Sequence, residues 1–232
     1  MTTPDPRPPT PVIAIDGPSG VGKGTIARAL AKKLSWNFLD SGALYRILAL
    51  TASKAGVPLH DAARVAALAS GLQIRFDETG QGAEKILIDN TDCTREVRAE
   101  VTGSLASTIA VFPQVRAALL TRQRAFREPP GLVADGRDMG TFVFADAQLK
   151  VFLDASAEER ARRRLIQLSE AGREATIAPL LAEIRARDER DRNRSTAPLK
   201  PAGDAEVMDT TALSVDAVLQ KVMHLARSRG LL

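Results

Sequence analysis

Cysteine is nearly missing from this chain: Cys93 is the only one among 232 residues. A lone thiol excludes an internal disulfide and a cysteine-built metal cluster, and it fits a reducing compartment, so a cytoplasmic protein is expected. Histidine is almost as scarce. With only His60 and His224 available, neither a histidine-based zinc site nor a serine, histidine and aspartate triad is expected. Aromatic residues make up 4%. They do not interleave with the basic residues as the stacking platforms of a single-strand binder do, and no stable nucleic-acid partner is expected. Charges interrupt every apolar run before the roughly 20 residues that a membrane-spanning helix needs, so no membrane partner is expected either. The opening stretch, residues 1–11, alternates proline with polar residues; it reads as a disordered arm and not as a signal peptide.

What is present is a 44% apolar composition, enough for the core of one α/β domain, and a net charge of +4 that suits phosphorylated small molecules as well as nucleic acid. Val12 to Ile15 is a short apolar run, followed by a glycine-rich turn and a helical stripe of Ile26, Ala27, Leu30, Ala31 and Leu34. Trp36 to Leu39 predicts a strand and Ala43 to Ala55 a helix, which together imply a βαβ unit and a parallel sheet. Alternation in Leu72 to Phe76 and Lys85 to Ile88 predicts an inserted antiparallel hairpin, with the turn at Asp77 to Gly82. Helices are expected over Thr94 to Val111 and Gln114 to Arg127, broken at Phe112-Pro113. Leu132 to Ala134 and Leu149 to Leu153 return to the sheet. A charged helical stretch, Glu158 to Arg194, breaks around Gly172 to Thr176; Glu206 to Met208 and Val215 to Arg227 supply a last strand and a closing helix.

The strongest signal is Gly17-Pro18-Ser19-Gly20-Val21-Gly22-Lys23-Gly24-Thr25, set between a predicted strand and a predicted helix. Phosphate oxygens need converging donors. Glycines permit the backbone angles that turn successive N–H groups inward, the helix N-terminus adds its positive end, and Lys23 adds a cation. Thr25 can support magnesium directly or through water. The common pattern has serine or threonine immediately after the lysine, whereas Gly24 intervenes here. This Gly-Lys-Gly-Thr variant resembles that of nucleoside monophosphate kinases. A nucleotide loop alone is shared by GTPases, ATPases and kinases, so the acceptor site must decide among them.

Further along, Asp40-Ser41-Gly42 reads both as a helix cap and as a turn at the carboxyl end of a strand, where open α/β sheets bind ligands. Asp135 follows an apolar strand, as suits a carboxylate that holds magnesium or its waters, and Arg137 can neutralise phosphate charge. Lysine is absent from 158–194, where arginine is abundant. Arg187, Asp191 and Arg194 fall at spacings of four and three, hence on one helix face, although Glu183 to Arg187 and Asp188 to Arg192 also fit a solvated, salt-bridged helix.

Taken in order, Ile15-Asp16-Gly17-Pro18-Ser19-Gly20, Asp40-Ser41-Gly42-Ala43-Leu44-Tyr45-Arg46, Asp135-Gly136-Arg137-Asp138-Met139-Gly140-Thr141 and Arg187 to Arg194 resemble the signatures of the bacterial cytidylate kinases. The resemblance covers nearly the whole chain after Pro11. It implies a three-layer α/β/α P-loop kinase fold with a five-stranded parallel sheet, forming one domain over residues 12–232. Its core would be 12–40, 131–157 and 203–232, its monophosphate-binding lobe, with a small antiparallel sheet, 41–130, and its helical lid 158–195. It implies transfer of the terminal phosphoryl group of ATP to CMP or dCMP, with Mg²⁺ required and Thr25 and Asp135 on the metal side. Lys23, Arg137, Arg160, Arg163 and Arg194 would act on the transferring group. Ser41, Tyr45 and Arg46 would meet the acceptor, Arg46 at its phosphate. Arg116, supported by Ser107, would donate to the base and Asp138 would accept from its amine. Arg187 and Asp191 would contact the ribose hydroxyls and Arg194 a phosphate. A monomer is expected. The residues by themselves leave open a P-loop kinase of another small acceptor, such as UMP, AMP or shikimate, and a nucleotide-dependent nucleic-acid-binding protein.

Overall fold

A computed structural model describes residues 10–78, 84–170 and 172–232. The first strand, β1 (Val12–Asp16), is buried along its whole length, as a central parallel strand is. The glycine-rich turn leads into helix α1 (Lys23–Leu34), which buries Ile26, Ala27, Leu30 and Ala31 as the periodicity predicts. Gly17 takes a φ of 151°, and a Cβ there would stand 2.2 Å from the Leu153 carbonyl oxygen, so the turn admits no side chain at that point. After β2 (Asn37–Asp40), the Asp40 carboxylate accepts from the Ala43 N–H at 2.9 Å and caps α2 (Ser41–Lys54). Helix α3 (Ala62–Gly71) adds to the expected elements. Its stripe of Val65, Leu68 and Ala69 packs on the core, and Asp61 starts it by accepting from Arg64 N–H.

The expected hairpin is β3 (Ile74–Glu78) against β4 (Glu84–Ile88), joined by the two-residue strand β5 (Thr91–Asp92). Most of the predicted turn, at 79–82, falls outside the described residues. The single helix expected over Thr94 to Val111 is corrected to two, α4 (Thr94–Arg98) and α5 (Glu100–Ile109), because Ala99 is extended with φ −64° and ψ 150°. No glycine or proline marks this break. The cause is tertiary: Arg46 Nη1 donates to the carbonyls of Val97 and Ala99 at 3.1 and 2.8 Å. Helix α6 (Pro113–Arg124) starts on a proline, whose missing N–H costs nothing in the first turn.

Strand β6 (Leu132–Gly136), a π-helical turn (Met139–Val143) and strand β7 (Leu149–Asp154) follow. The arginine-rich stretch forms α7 (Ala157–Glu170) and α8 (Ile177–Arg192), with 172–176 non-helical, as expected. Strand β8 (Glu206–Asp209) and helix α9 (Val215–Ser228) complete the chain. The strands form a parallel five-stranded sheet in the order β2-β6-β1-β7-β8. Successive side chains of a strand point to opposite faces, and β1 serves two cores accordingly. Val12 and Ala14 join Leu44, Leu48, Ile86 and Leu119 on one face. Ile13 and Ile15 join Ile26, Leu30, Leu219 and Val222 on the other.

Of the stretch expected to be a disordered arm, Thr10 and Pro11 are anchored. Arg127 Nε donates to Thr10 O at 2.7 Å and Leu132 N–H to Pro11 O at 2.9 Å; residues 1–9 lie outside the described residues. Among the described residues no single helix is long and apolar enough to cross a membrane.

Candidate active site

The carboxyl ends of β1, β2 and β6 meet the N-termini of α1 and α2, the place where open parallel sheets hold ligands. Gly20 and Gly22 take φ of 77° and 95°, the left-handed values that curl the loop. Lys23 follows and is buried, its Nζ donating to the Pro18 carbonyl at 3.0 Å. Burial, with Arg137 beside it, lowers its ammonium to about 7. Asp135, near the end of β6, is buried as well, and desolvation pushes its carboxyl up to about 6 although Lys23 draws it down. No hydrogen-bond donor among the described residues reaches that carboxylate. A Cβ on Gly24 would stand 3.0 Å from Asp135 Oδ2. The carboxylate thus crowds out the serine or threonine that usually follows the lysine, and the hydroxyl comes one residue later, on exposed Thr25.

Beside the loop lies a second cavity. Ser41 and Tyr45 of α2, Ser107 of α5 and Arg116 of α6 line it together with Arg137, Asp138, Arg187, Asp191 and Arg194. Every residue expected at the acceptor except Arg46 is brought together there. The Arg46 guanidinium lies instead against Gly103, where a Cβ would come within 2.6 Å of it. Arg116 and Asp138, each 3% exposed, form a buried ion pair, and the Arg116 guanidinium lies 5.7 Å from the centre of the Phe142 ring. Arg137 Nε donates to Asp191 Oδ2 at 3.0 Å. Burial works against the Asp191 charge, yet Arg137, Arg194 and Arg187 hold its carboxyl below the ordinary value. Burial, with Arg137 close by, lowers Arg187 to about 10. Arg116 Nε, Arg187 Nε, Arg194 Nε and Arg194 Nη2 are buried without a hydrogen-bond partner. Orphaned donors of this kind carry a desolvation cost that an anionic ligand rich in oxygen relieves.

Arg160 and Arg163, expected on the transferring group, are engaged by the protein itself in this structure. Arg160 is 2% exposed. It grips Asp188 of α8 with both terminal nitrogens, at 3.0 and 2.5 Å, and also donates to Ser19 O at 3.1 Å and Ala155 O at 2.9 Å. Arg163 bonds Glu159, Val21 O and Thr210 O at 2.9, 3.1 and 2.6 Å. Both therefore tie the phosphate loop to neighbouring elements. Sequence reasoning missed Gln123, whose Nε2 donates to Ser41 Oγ at 2.8 Å, and a cavity of about 350 Å³ over Gly22 and Thr25 walled by Arg162, Arg163, Ile166 and Leu213. Gln123 and the outer wall of that cavity lie in no motif; only the folded chain brings them to the site.

A glycine-rich loop with a buried lysine, carried between strand and helix of this sheet and facing an arginine-lined cavity, defines a P-loop kinase of a small anionic acceptor. The sequence matches the cytidylate kinase family over residues 13–228. It is 55% identical over 224 residues to a cytidylate kinase of Stutzerimonas stutzeri, covering 96% of this chain and 98% of that protein. To a cytidylate kinase of Pectobacterium carotovorum it is 54% identical over 217 residues, covering 94% and 96%. The chain belongs to the cytidylate kinase family.

Proposed function

We propose that this chain transfers the terminal phosphoryl group of ATP to CMP or dCMP, giving ADP and CDP or dCDP. The observation that carries the reading is the buried Arg116 and Asp138 pair in the acceptor cavity. Cytosine offers acceptors at N3 and O2 and a donor amine at C4, and the pair presents donors and an acceptor side by side. Uracil presents O4 and N3–H at the same places, which leaves buried groups unpaired at about 1–3 kcal/mol each. Shikimate, with no ring nitrogen or amine to offer, is disfavoured in the same way, whereas adenine shares the amine and acceptor nitrogen, so that AMP is separated from CMP by the size of its base.

Arg137 and Arg194 hold the acceptor phosphate, joined by Arg46 once its guanidinium turns from Val97 and Ala99 toward the cavity; Arg187 and Asp191 hold the ribose hydroxyls, and Ser41, Tyr45 and Ser107 the pocket around them. Guanidinium groups suit this task because they stay charged and grip phosphate through two nitrogens. Lys23 and the backbone N–H groups of Ser19 to Thr25 hold the donor phosphates, and the cavity over Gly22 and Thr25 takes the donor base. Magnesium, when bound, neutralises charge on the donor phosphates. Asp135, directly or through water, and Thr25 would hold it, and a buried carboxylate with no protein donor fits that need. An acceptor phosphate oxygen attacks the terminal phosphorus in line as the bond from that phosphorus to the bridging oxygen breaks and ADP leaves, so the protein's work is alignment and charge stabilisation, with no covalent enzyme intermediate. Arg160 and Arg163 contribute by fixing the loop against a lid over 158–195. Its closure over the core and over the acceptor lobe, 41–130, excludes water. A cytoplasmic monomer acting in pyrimidine metabolism, without a stable nucleic-acid partner, belongs to the same reading.

The test is an ADP-release assay with Mg-ATP and each of CMP, dCMP, UMP, AMP and GMP. Turnover with CMP and dCMP well above the others is expected. Equal rates with UMP would sink the base pocket, and stimulation by no acceptor would sink the reaction.

A further inference from the structure

Asp138 stands at the N-cap of the π-helical turn Met139–Val143, yet its side chain caps nothing. An aspartate there ordinarily folds back to accept from the first amides of the turn, since these have no partner within it. Here those amides are taken from across the sheet. Asp16 Oδ1 accepts from Met139 N–H and Asp16 Oδ2 from Gly140 N–H, each at 2.8 Å. Asp16 is the last residue of β1 and 5% exposed, and its backbone is fixed between Gly136 of β6 and Phe152 of β7. Met139 packs in turn on Gly136, where a Cβ would meet its side chain at 2.7 Å. With its own helix capped by another residue, the Asp138 carboxylate turns to Arg116 in the acceptor cavity.

We infer that Asp16 is a positioning residue for base recognition: by capping the π-helical turn in place of Asp138, it keeps the Asp138 carboxylate in the acceptor cavity. The inference rests on the reading of Asp138 as the group that accepts from the cytosine amine. It also joins the two halves of the site, because the residue after Asp16 is Gly17, the first of the phosphate loop.

Removing the Asp16 carboxylate frees two amides, and Asp138 is the acceptor next to them in the chain. It then caps its own turn and leaves the base unread. The readout is the ratio of kcat/KM for CMP to that for UMP. Both acceptors meet the same loop and the same arginines, so general damage to folding or to ATP binding cancels in that ratio. Asp16→Ala is expected to lower it by about tenfold or more, toward the ratio of Asp138→Ala. In the double variant Asp16→Ala, Asp138→Ala no further fall is expected, since one side chain acts through the other. Asp16→Asn keeps one acceptor and gives a smaller fall; it carries the test if the alanine variant does not fold. A ratio unchanged in Asp16→Ala, or in Asp16→Asn where only that folds, overturns the inference and makes Asp16 a structural tether alone. Additive falls in the double variant overturn it as well. A ratio unchanged in Asp138→Ala alone overturns the base reading itself, so the two failures are told apart.

Discussion

Lys23 is where burial and function pull in opposite directions. Its ammonium is lowered to about 7, while a polyphosphate needs it charged. The charged fraction is full below that value and falls as pH rises through it, so nucleotide affinity must fall at alkaline pH. From about pH 7.5 to about pH 9, above the titration of the phosphates themselves, the Kd for ADP should weaken by up to about tenfold per unit. Calorimetric titration checks this, and a flat Kd would mean that the ammonium stays charged across the range, so that burial does not lower it. Arg160 makes a different forecast. Its truncation to alanine strands Asp188, a buried carboxylate, and should cost about 3–5 kcal/mol of stability. Urea unfolding measures it; a loss below about 1 kcal/mol would mean that water reaches the gap. Residues of this site were legible where a motif carries them, as for Lys23, Asp135 and Asp138. Asp16 lies within a motif, but its partners, Met139 and Gly140, lie far along the chain, and no spacing rule links them.

At the scale of elements, apolar periodicity found the helices and strands that pack on the sheet, because packing is what writes that periodicity. It failed where a single side chain governs the backbone. The extended Ala99 between α4 and α5 answers to Arg46, and the π-helical turn to Asp16, so neither leaves a local trace. Gly103 in α5 shows the same dependence. A side chain there would favour the helix, by up to about 1 kcal/mol for alanine, yet its Cβ would stand 2.6 Å from the Arg46 guanidinium. Gly103→Ala should therefore leave the melting temperature unchanged or raised while KM for CMP rises severalfold. A variant with wild-type KM would show that Arg46 moves aside without consequence for the acceptor phosphate.

Across the whole molecule, α7 and α8 reach the acceptor helices through few contacts: Arg164 pairs with Glu100 of α5, and Arg190 Nε donates to Ser107 Oγ at 3.4 Å. If these contacts hold the proposed lid closed, Glu100→Gln should raise both KM for CMP and the acceptor-free hydrolysis of ATP severalfold, because loosening it would admit water. Unchanged hydrolysis in that variant would place closure elsewhere. The central sheet has a consequence of another kind. Helices α2, α5 and α6, which line the acceptor cavity, pack on one face and α1 and α9 on the other, and among the described residues the two apolar cores share no side chain. Changes that reshape acceptor choice therefore have a face of their own in which to accumulate, and a new specificity can arise on one side of the sheet while the donor side stays as it is.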